Sequence, residues 1–261
     1  HKLLIYFPDR LGTLLSSRKK SLVSRVGDLC LIAAFSGIYM IYGVQDFGHI
    51  FEAVQIEGNL LSNNTWIGCL IIFGAILKSA QFPFHTWLPD TMGAPTPVSA
   101  LMHAGIINGG GYLVVRLSPV LAHTLGALHM LAIVGALTAV YASMVMLSQT
   151  SVKRALAYST IAQMGFMLLQ CGLGAFHLAV LHLVAHSLYK GHAFLSCGSA
   201  VETAKTLNAK PHYAQLKPIR IWLAIGISFA IVLGLSISFN VSPSDKPGRL
   251  LLSTVLVMAL T

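Results

Sequence analysis

The chain has 261 residues, 55% of them hydrophobic and only 10% charged, with a net charge of +9 and a mean hydropathy of +0.74. A water-soluble fold would carry about a quarter charged residues, so a soluble globular protein is excluded. The bases lie in separate loops without interleaved aromatics, which excludes a nucleic-acid surface.

The apolar residues fall into blocks close to the roughly 20 residues that cross about 30 Å of hydrocarbon. They predict an all-α, polytopic transmembrane helical bundle in a single domain over 1–261, with membrane lipid as its surroundings. The spans are expected near 26–43, 66–80, 97–117, 125–147, 155–173, 176–199, 219–239 and 250–261. A start on His1 and an end inside the last block read as an interior fragment of a longer chain. Lys2, Asp9 and Arg10 flank only a short apolar run, unlike a cleaved signal peptide.

Lys2, Arg10, Arg18, Lys19, Lys20 and Arg25 precede the first expected span. If spans alternate, the same side receives Lys153, Arg154, Lys205, Lys210, Lys217 and Arg220, and the other only Arg116, Lys246 and Arg249. Twelve bases against three place the His1 end in the cytoplasm. Asp28 opens the first span behind Arg25, where a carboxylate suits the positive end of a helix. Residues 44–65, with Asp46, Glu52, Glu57 and the turn pair Asn63-Asn64, are expected to form an acidic external loop.

Lys78 ends the second block. A lysine inside a span points to function, whereas one near its end can snorkel to the interface; both readings fit. The stretch from Gln81 to Pro97 then holds Pro83, His85, Pro89, Gly93, Pro95 and Pro97 yet keeps Phe82, Phe84, Trp87 and Leu88. Proline-broken apolar backbone suits a discontinuous helix lining a cavity; an interfacial loop with an aromatic belt also fits. His103 follows in the next span, with Asn108 and Gly109-Gly110-Gly111, a triplet suited to close packing. Cys30, Cys69, Cys171 and Cys197 are isolated within apolar blocks and read as small buried hydrophobes.

His182, His186 and Lys190 are spaced i, i+4, i+8 and stack on one helical face. Three titratable groups about 6 Å apart suit a proton relay; histidines bonded to neighbouring helices are the alternative. His-x-x-x-His is also half of a metal site, but no third ligand is evident beyond His177 and His192, so no cofactor or metal is expected in this chain. Residues 200–218 form a basic loop ending at Lys217-Pro218, with Pro218 marking the next helix.

The run from Leu77 to Ala104, Leu-Lys-Ser-Ala-Gln-Phe-Pro-Phe-His-Thr-Trp-Leu-Pro-Asp followed by Met92-Gly93-Ala94-Pro95-Thr96-Pro97-Val98-Ser99-Ala100-Leu101-Met102-His103, resembles the antiporter-like membrane subunits of respiratory complex I. The Mrp cation antiporters carry the same motif in one of their membrane components. The run Val152 to Gly165 and the segment His182 to Lys190 are similar to that family too, so the resemblance covers about 23–201. It implies that Lys78 is the lysine of the discontinuous helix, and that His103, His182, His186 and Lys190 belong to a hydrophilic axis that moves protons. The acidic partner of that lysine would lie upstream of His1.

The N-terminal run His1 to Arg10, with Arg18-Lys19-Lys20, resembles instead the membrane subunits of the DAB inorganic-carbon accumulation complexes, the DabB type. The complex I subunits carry a second broken helix with a further lysine, and 219–239 and 250–261 contain none, so a second half-channel is expected to be reduced or displaced. This resemblance implies a bacterial inner-membrane subunit rather than an enzyme, with protons or sodium as the coupling ion. It further implies a large, cytoplasmic-side, zinc-containing, carbonic-anhydrase-like partner of the DabA type. The alternatives are a quinone-linked proton-pump subunit or Mrp antiporter module, a passive membrane anchor, and a membrane metalloenzyme using His182 and His186.

Overall fold

The computed structural model describes residues 2–5, 11–44 and 46–206, together with 226 and 230. The spans expected at 219–239 and 250–261, and the second half-channel, lie outside the described residues. Contacts divide the chain into units 1–201 and 202–261. The helices and sites described here belong to the first unit, apart from the last residues of α10.

Every regular element among the described residues is helical. Helix α1 spans Leu11–Tyr42, α2 Phe47–Ile56, α3 Gly58–Asn63, α4 Thr65–Lys78, α5 Thr96–Ala104 and α6 Gly109–Arg116. Helix α7 spans Ser118–Leu121, α8 Leu125–Leu147, α9 Val152–Gly172 and α10 Phe176–Thr206. Short 3-10 turns occupy Lys2–Ile5, Phe84–Trp87, Pro89–Gly93 and Ile106–Asn108. Three described segments are long and apolar enough to span a bilayer on those grounds alone: Leu11–Tyr42, Thr96–Arg116 and Leu125–Leu147. Helix α4, at 14 residues, rises only about 21 Å, so the chain beyond it must supply the remaining depth.

Three expectations are corrected. The first span is expected at 26–43, but α1 begins at Leu11 and carries Arg18, Lys19, Lys20 and Arg25 along it. Serine and basic residues do not end a helix, and no proline interrupts the run. At about 48 Å, α1 exceeds the hydrocarbon thickness, which leaves its basic turns room beyond the apolar layer. The acidic connection 44–65 is not a loop: it folds into α2 and α3. Asp46 caps α2 by accepting from the Gly48 amide at 2.9 Å, and Ile50 and Val54 are buried beneath it.

The span expected to run unbroken over 97–117 is interrupted. Helix α5 stops at Ala104, Gly105 leaves helical geometry, and one 3-10 turn precedes α6. Glycine weakens a helix interior by about 1 kcal/mol. The Asn108 side chain meanwhile takes the Ala104 carbonyl as an acceptor at 2.8 Å, in competition with backbone donors.

Packing follows the logic of a bundle in lipid, with small residues at the closest helix contacts and large apolar ones both in the core and on the outer faces. Helix α8 buries Ala127, Gly135, Thr138 and Ala142 while exposing Ile133, Leu137, Val140 and Met144. Because lipid tails are as apolar as leucine, association relies on close backbone approach. A Cβ on Gly165 of α9 would stand 2.7 Å from the Ala139 amide nitrogen and 2.9 Å from the Gly135 carbonyl oxygen of α8. Helix α1 meets α4 in the same manner through Gly27 and Gly74.

Backbone cannot yield as a flexible side chain does, so Gly165→Ala is expected to destabilise the protein by about 1–3 kcal/mol. Gly109, with open space where its Cβ would stand, is the control. Thermal unfolding in detergent should show a lowered Tm for Gly165→Ala and an unchanged or raised one for Gly109→Ala.

Candidate functional site

Helix α4 ends directly after Lys78. Ala80 adopts a left-handed φ of 50°, and the Gln81 amide donates back to the Ile76 carbonyl at 3.2 Å. This is the hydrogen-bond pattern of a glycine-type helix stop. The same pattern closes α9, where Gly174 takes the left-handed position and the Ala175 amide donates to the Gln170 carbonyl at 2.9 Å. Alanine at such a position carries a Cβ penalty that glycine avoids.

Beyond the break the chain forms no α-helix until Thr96, and it alternates between buried residues such as Gln81, His85, Trp87 and Leu88 and exposed ones such as Phe82, Phe84 and Asp90. The Phe82–Pro83 peptide is cis. The Phe82 amide donates to Thr138 Oγ1 of α8 at 3.1 Å, and the Gln81 side chain donates to the Ser79 carbonyl at 2.9 Å. His85 is buried, its ring edge-on to Tyr141 at 5.1 Å and stacked on Phe82 at 5.9 Å. Pro89 opens the turn to Gly93, Pro95 precedes α5, and Pro97 lies in the first turn of α5, where a missing N–H costs little. Two lysines pin the segment from outside: Lys19 of α1 pairs with Asp90 at 2.8 Å, and Lys153 of α9 donates to the Ala94 carbonyl at 3.1 Å.

Lys78 Nζ lies 2.5 Å from Asp28 Oδ1. Hydropathy alone puts Asp28 at a helix start; in the structure it lies well inside α1, because the helix begins at Leu11. There it faces the α4 lysine, and the Lys78 ammonium ends on this carboxylate. The neighbouring Ser79 hydroxyl donates to the Ile107 carbonyl at 3.2 Å, so the α4 break touches the break between α5 and α6. Gly110 allows this approach: a Cβ there would fall on Ser79 Oγ and the Ala75 carbonyl.

The second cluster is built on α10. Lys190 is wholly buried, and its ammonium donates to Ser159 Oγ of α9 at 2.7 Å. His186 lies one turn before it, and the His182 and His186 ring centroids are 6.3 Å apart. The two ring nitrogens of His182 face amides of α9: Nε2 is 2.9 Å from Gln163 Oε1, and Nδ1 is 3.2 Å from Gln170 Oε1. His103 of α5 stacks on Phe194 of α10 at 4.4 Å, one turn beyond Lys190. His103, His182, His186 and Lys190 therefore gather along α10, whereas Lys78 sits apart on α1 and α4.

The interrupted span bridges the two clusters. Ser79, beside Lys78, bonds to Ile107; Asn108, the next residue, donates to Ser187 Oγ of α10 at 2.7 Å, and Ser187 adjoins His186. Both ring nitrogens of His103 and of His186 are buried without a hydrogen-bond partner among the described residues. Buried polar groups rarely go unpaired unless they serve a purpose, and titratable nitrogens in such a row can take up and pass on protons. Among the described residues no group of three His, Cys, Asp or Glu side chains could hold a metal ion.

Sequence reasoning did not single out Ala80, Gln170 or the bonding roles of Ser159 and Gln163. Gln163 and Gln170 carried a usable signal. They lie two turns apart on one face of an apolar helix, and polar side chains inside a span point to function.

Residues 2–237 match the family model described as NADH:quinone oxidoreductase/Mrp antiporter, transmembrane. The chain is 45% identical over 221 residues to a protein named "Probable inorganic carbon transporter subunit DabB1" from Halothiobacillus neapolitanus, covering 80% of this chain and 40% of that protein. A second protein of that organism, named DabB2 in the same style, is 42% identical over 262 residues and matches 99% of this chain and 47% of its own length. The chain thus spans less than half the length of these curated relatives. Among solved structures, the Mrp complex from a Dietzia species aligns with a TM-score of 0.69 at 30% identity, over 86% of this chain and 25% of that one.

The left-handed Ala80 gives the break its own test. Ala80→Gly is expected to raise stability by about 1 kcal/mol, and Ala80→Val to lower it by more because of its branched Cβ. Unfolding midpoints of the two variants should move in opposite directions.

Proposed function

The chain belongs to the NADH:quinone oxidoreductase/Mrp antiporter transmembrane family, and from that premise we propose that it conducts protons to energise inorganic-carbon accumulation. In this reading it is a multi-pass subunit of the bacterial inner membrane with its His1 end cytoplasmic. Its partner is a large cytoplasmic-side, zinc-containing, carbonic-anhydrase-like subunit, and zinc and catalysis belong to that partner. The match to a DabB-named relative across 99% of the chain supports this assignment.

The observation that carries the conduction reading is Lys190, an ammonium with no exposed surface whose close contact is the Ser159 hydroxyl. Burying a charge without a counter-charge is expensive, and such a group in a membrane marks an ion path. A hydroxyl can accept one proton while releasing another, so Ser159 can take part in proton transfer with the lysine without holding charge itself. His186, His182 and His103 extend the row on either side. Lys78, compensated by Asp28, supplies a second charged station, joined to the first through Ser79, Ile107, Asn108 and Ser187. The nitrogen-based chemistry favours protons over sodium, which seeks oxygen ligands.

In the complete complex, Lys190→Ala and Lys78→Ala should each lower bicarbonate uptake by about 100-fold or more, with the partner still co-purifying. Ser159→Ala should reduce uptake about tenfold, the loss of one hydrogen bond to a charged group. Full uptake by an assembled Lys190→Ala complex would overturn conduction in favour of a passive anchor. Recovery with NADH-oxidising subunits would instead point to a quinone-linked pump.

A further inference from the structure

His182 differs from the other two buried histidines of the site. His103 and His186 have no hydrogen-bond partner among the described residues, whereas His182 is held at both edges by side-chain amides. Gln163 and Gln170 are seven residues apart on α9, and the imidazole lies between them, 3% exposed. Gln170 is wholly buried, and its Nε2 has no partner among the described residues. The neighbours of His182 on α9 are Gln163, Gln170 and Phe166, whose ring centroid is 5.6 Å away, and none of them carries charge. On its own helix the facing titratable group is His186.

An amide offers two faces, a carbonyl that accepts and an NH₂ that donates. A neutral imidazole has one N–H and one lone pair, so it is matched by one carbonyl and one NH₂. An imidazolium has two N–H groups and is matched by two carbonyls, the arrangement seen here at 2.9 and 3.2 Å. A half-turn of one amide exchanges its Oε1 for its Nε2 and converts one match into the other. Gln170 is the wholly buried member of the pair, and its NH₂ has no partner among the described residues to leave behind.

We propose that Gln163 and Gln170 form an adaptable amide cradle for His182, with Gln170 turning as the imidazole gains or loses a proton. The inference rests on the conduction reading, within which both glutamines are positioning residues. When a proton arrives on the neutral ring, Nδ1 becomes a donor and Gln170 presents its carbonyl. When a ring proton departs, the freed lone pair accepts from the Gln170 NH₂. No bond other than N–H is made or broken, and each charge state keeps its hydrogen bonds inside an apolar bundle, where unpaired groups are costly. The cradle therefore lets His182 alternate between charge states.

The test is nitrogen NMR of the complete complex in lipid bilayers, labelled at the histidine nitrogens, with His182 identified by the signals lost in His182→Gln. Wild-type His182 should pass between doubly and singly protonated forms across a pH series. Gln170→Met, of similar volume but without an amide, should leave it singly protonated throughout. Gln170→Glu should hold it doubly protonated throughout. Proton flux should fall about tenfold in Gln170→Met, as expected for the loss of one hydrogen bond to a charged group, and in Gln170→Glu by a similar factor because the carboxylate keeps the ring from releasing its proton. The cradle is overturned if His182 shows the same charge and tautomer in wild type and Gln170→Met at every pH, or if the wild-type ring keeps one charge state throughout. The wild-type series decides the matter if a variant fails to assemble. If the signals respond as expected but Lys190→Ala conducts normally, the conduction reading fails and the cradle stands.

Discussion

Hydrocarbon offers no hydrogen bonds, and much of this structure is an answer to that constraint. Helices α1, α8, α9 and α10 satisfy their backbones internally over most of their length. Where α4 stops after Lys78, the freed groups need other partners inside the protein. The Gln81 amide returns to Ile76, the Phe82 amide finds Thr138, and the Ser79 hydroxyl reaches Ile107. An irregular backbone can persist at depth only when it is enclosed in this way. The same enclosure gives the charged and titratable groups a setting in which their partners matter.

Close packing makes the enclosure possible. Gly135 and Gly165 bring α8 and α9 into backbone contact, and Gly110 brings α6 onto the last turn of α4. With the helices this near, short side chains such as Ser159, Ser187 and Asn108 can bond across from one helix to the next. Outside the core, Lys19 with Asp90 and Lys153 with the Ala94 carbonyl hold the ends of the broken segment to α1 and α9. The segment is thus tied both from within and from its exposed side.

Much of this was legible in the sequence, and the rest was not for identifiable reasons. The i, i+4, i+8 spacing of His182, His186 and Lys190 needs only helical periodicity, and the structure places them on one helix with His103 close by. The helical class followed from block length and composition. Asp28 was misplaced because hydropathy marks where a chain becomes apolar, whereas a helix starts wherever its backbone can, here at Leu11. The interruption at Gly105 had a signal in Gly105, Asn108 and the glycine triplet, but the same residues suit close packing within an unbroken span. Ala80 is a good helix former by propensity, and only the tertiary setting of α4 forces it left-handed. The pairing of Gln163 and Gln170 around His182 depends on the register of α9 against α10, which pattern reading does not supply.

The Ser79 to Ile107 hydrogen bond links two interrupted spans at their weakest points. A shear of α4 along its axis would drag the Ile107 turn with it, and through Asn108 it would pull on Ser187 of α10. Two discontinuities that touch work as one knuckle. Strain applied beside the Lys78 and Asp28 pair would have a hydrogen-bonded route to the neighbourhood of His186. In mechanical terms, the bundle has a joint where a set of continuous rods would have had none.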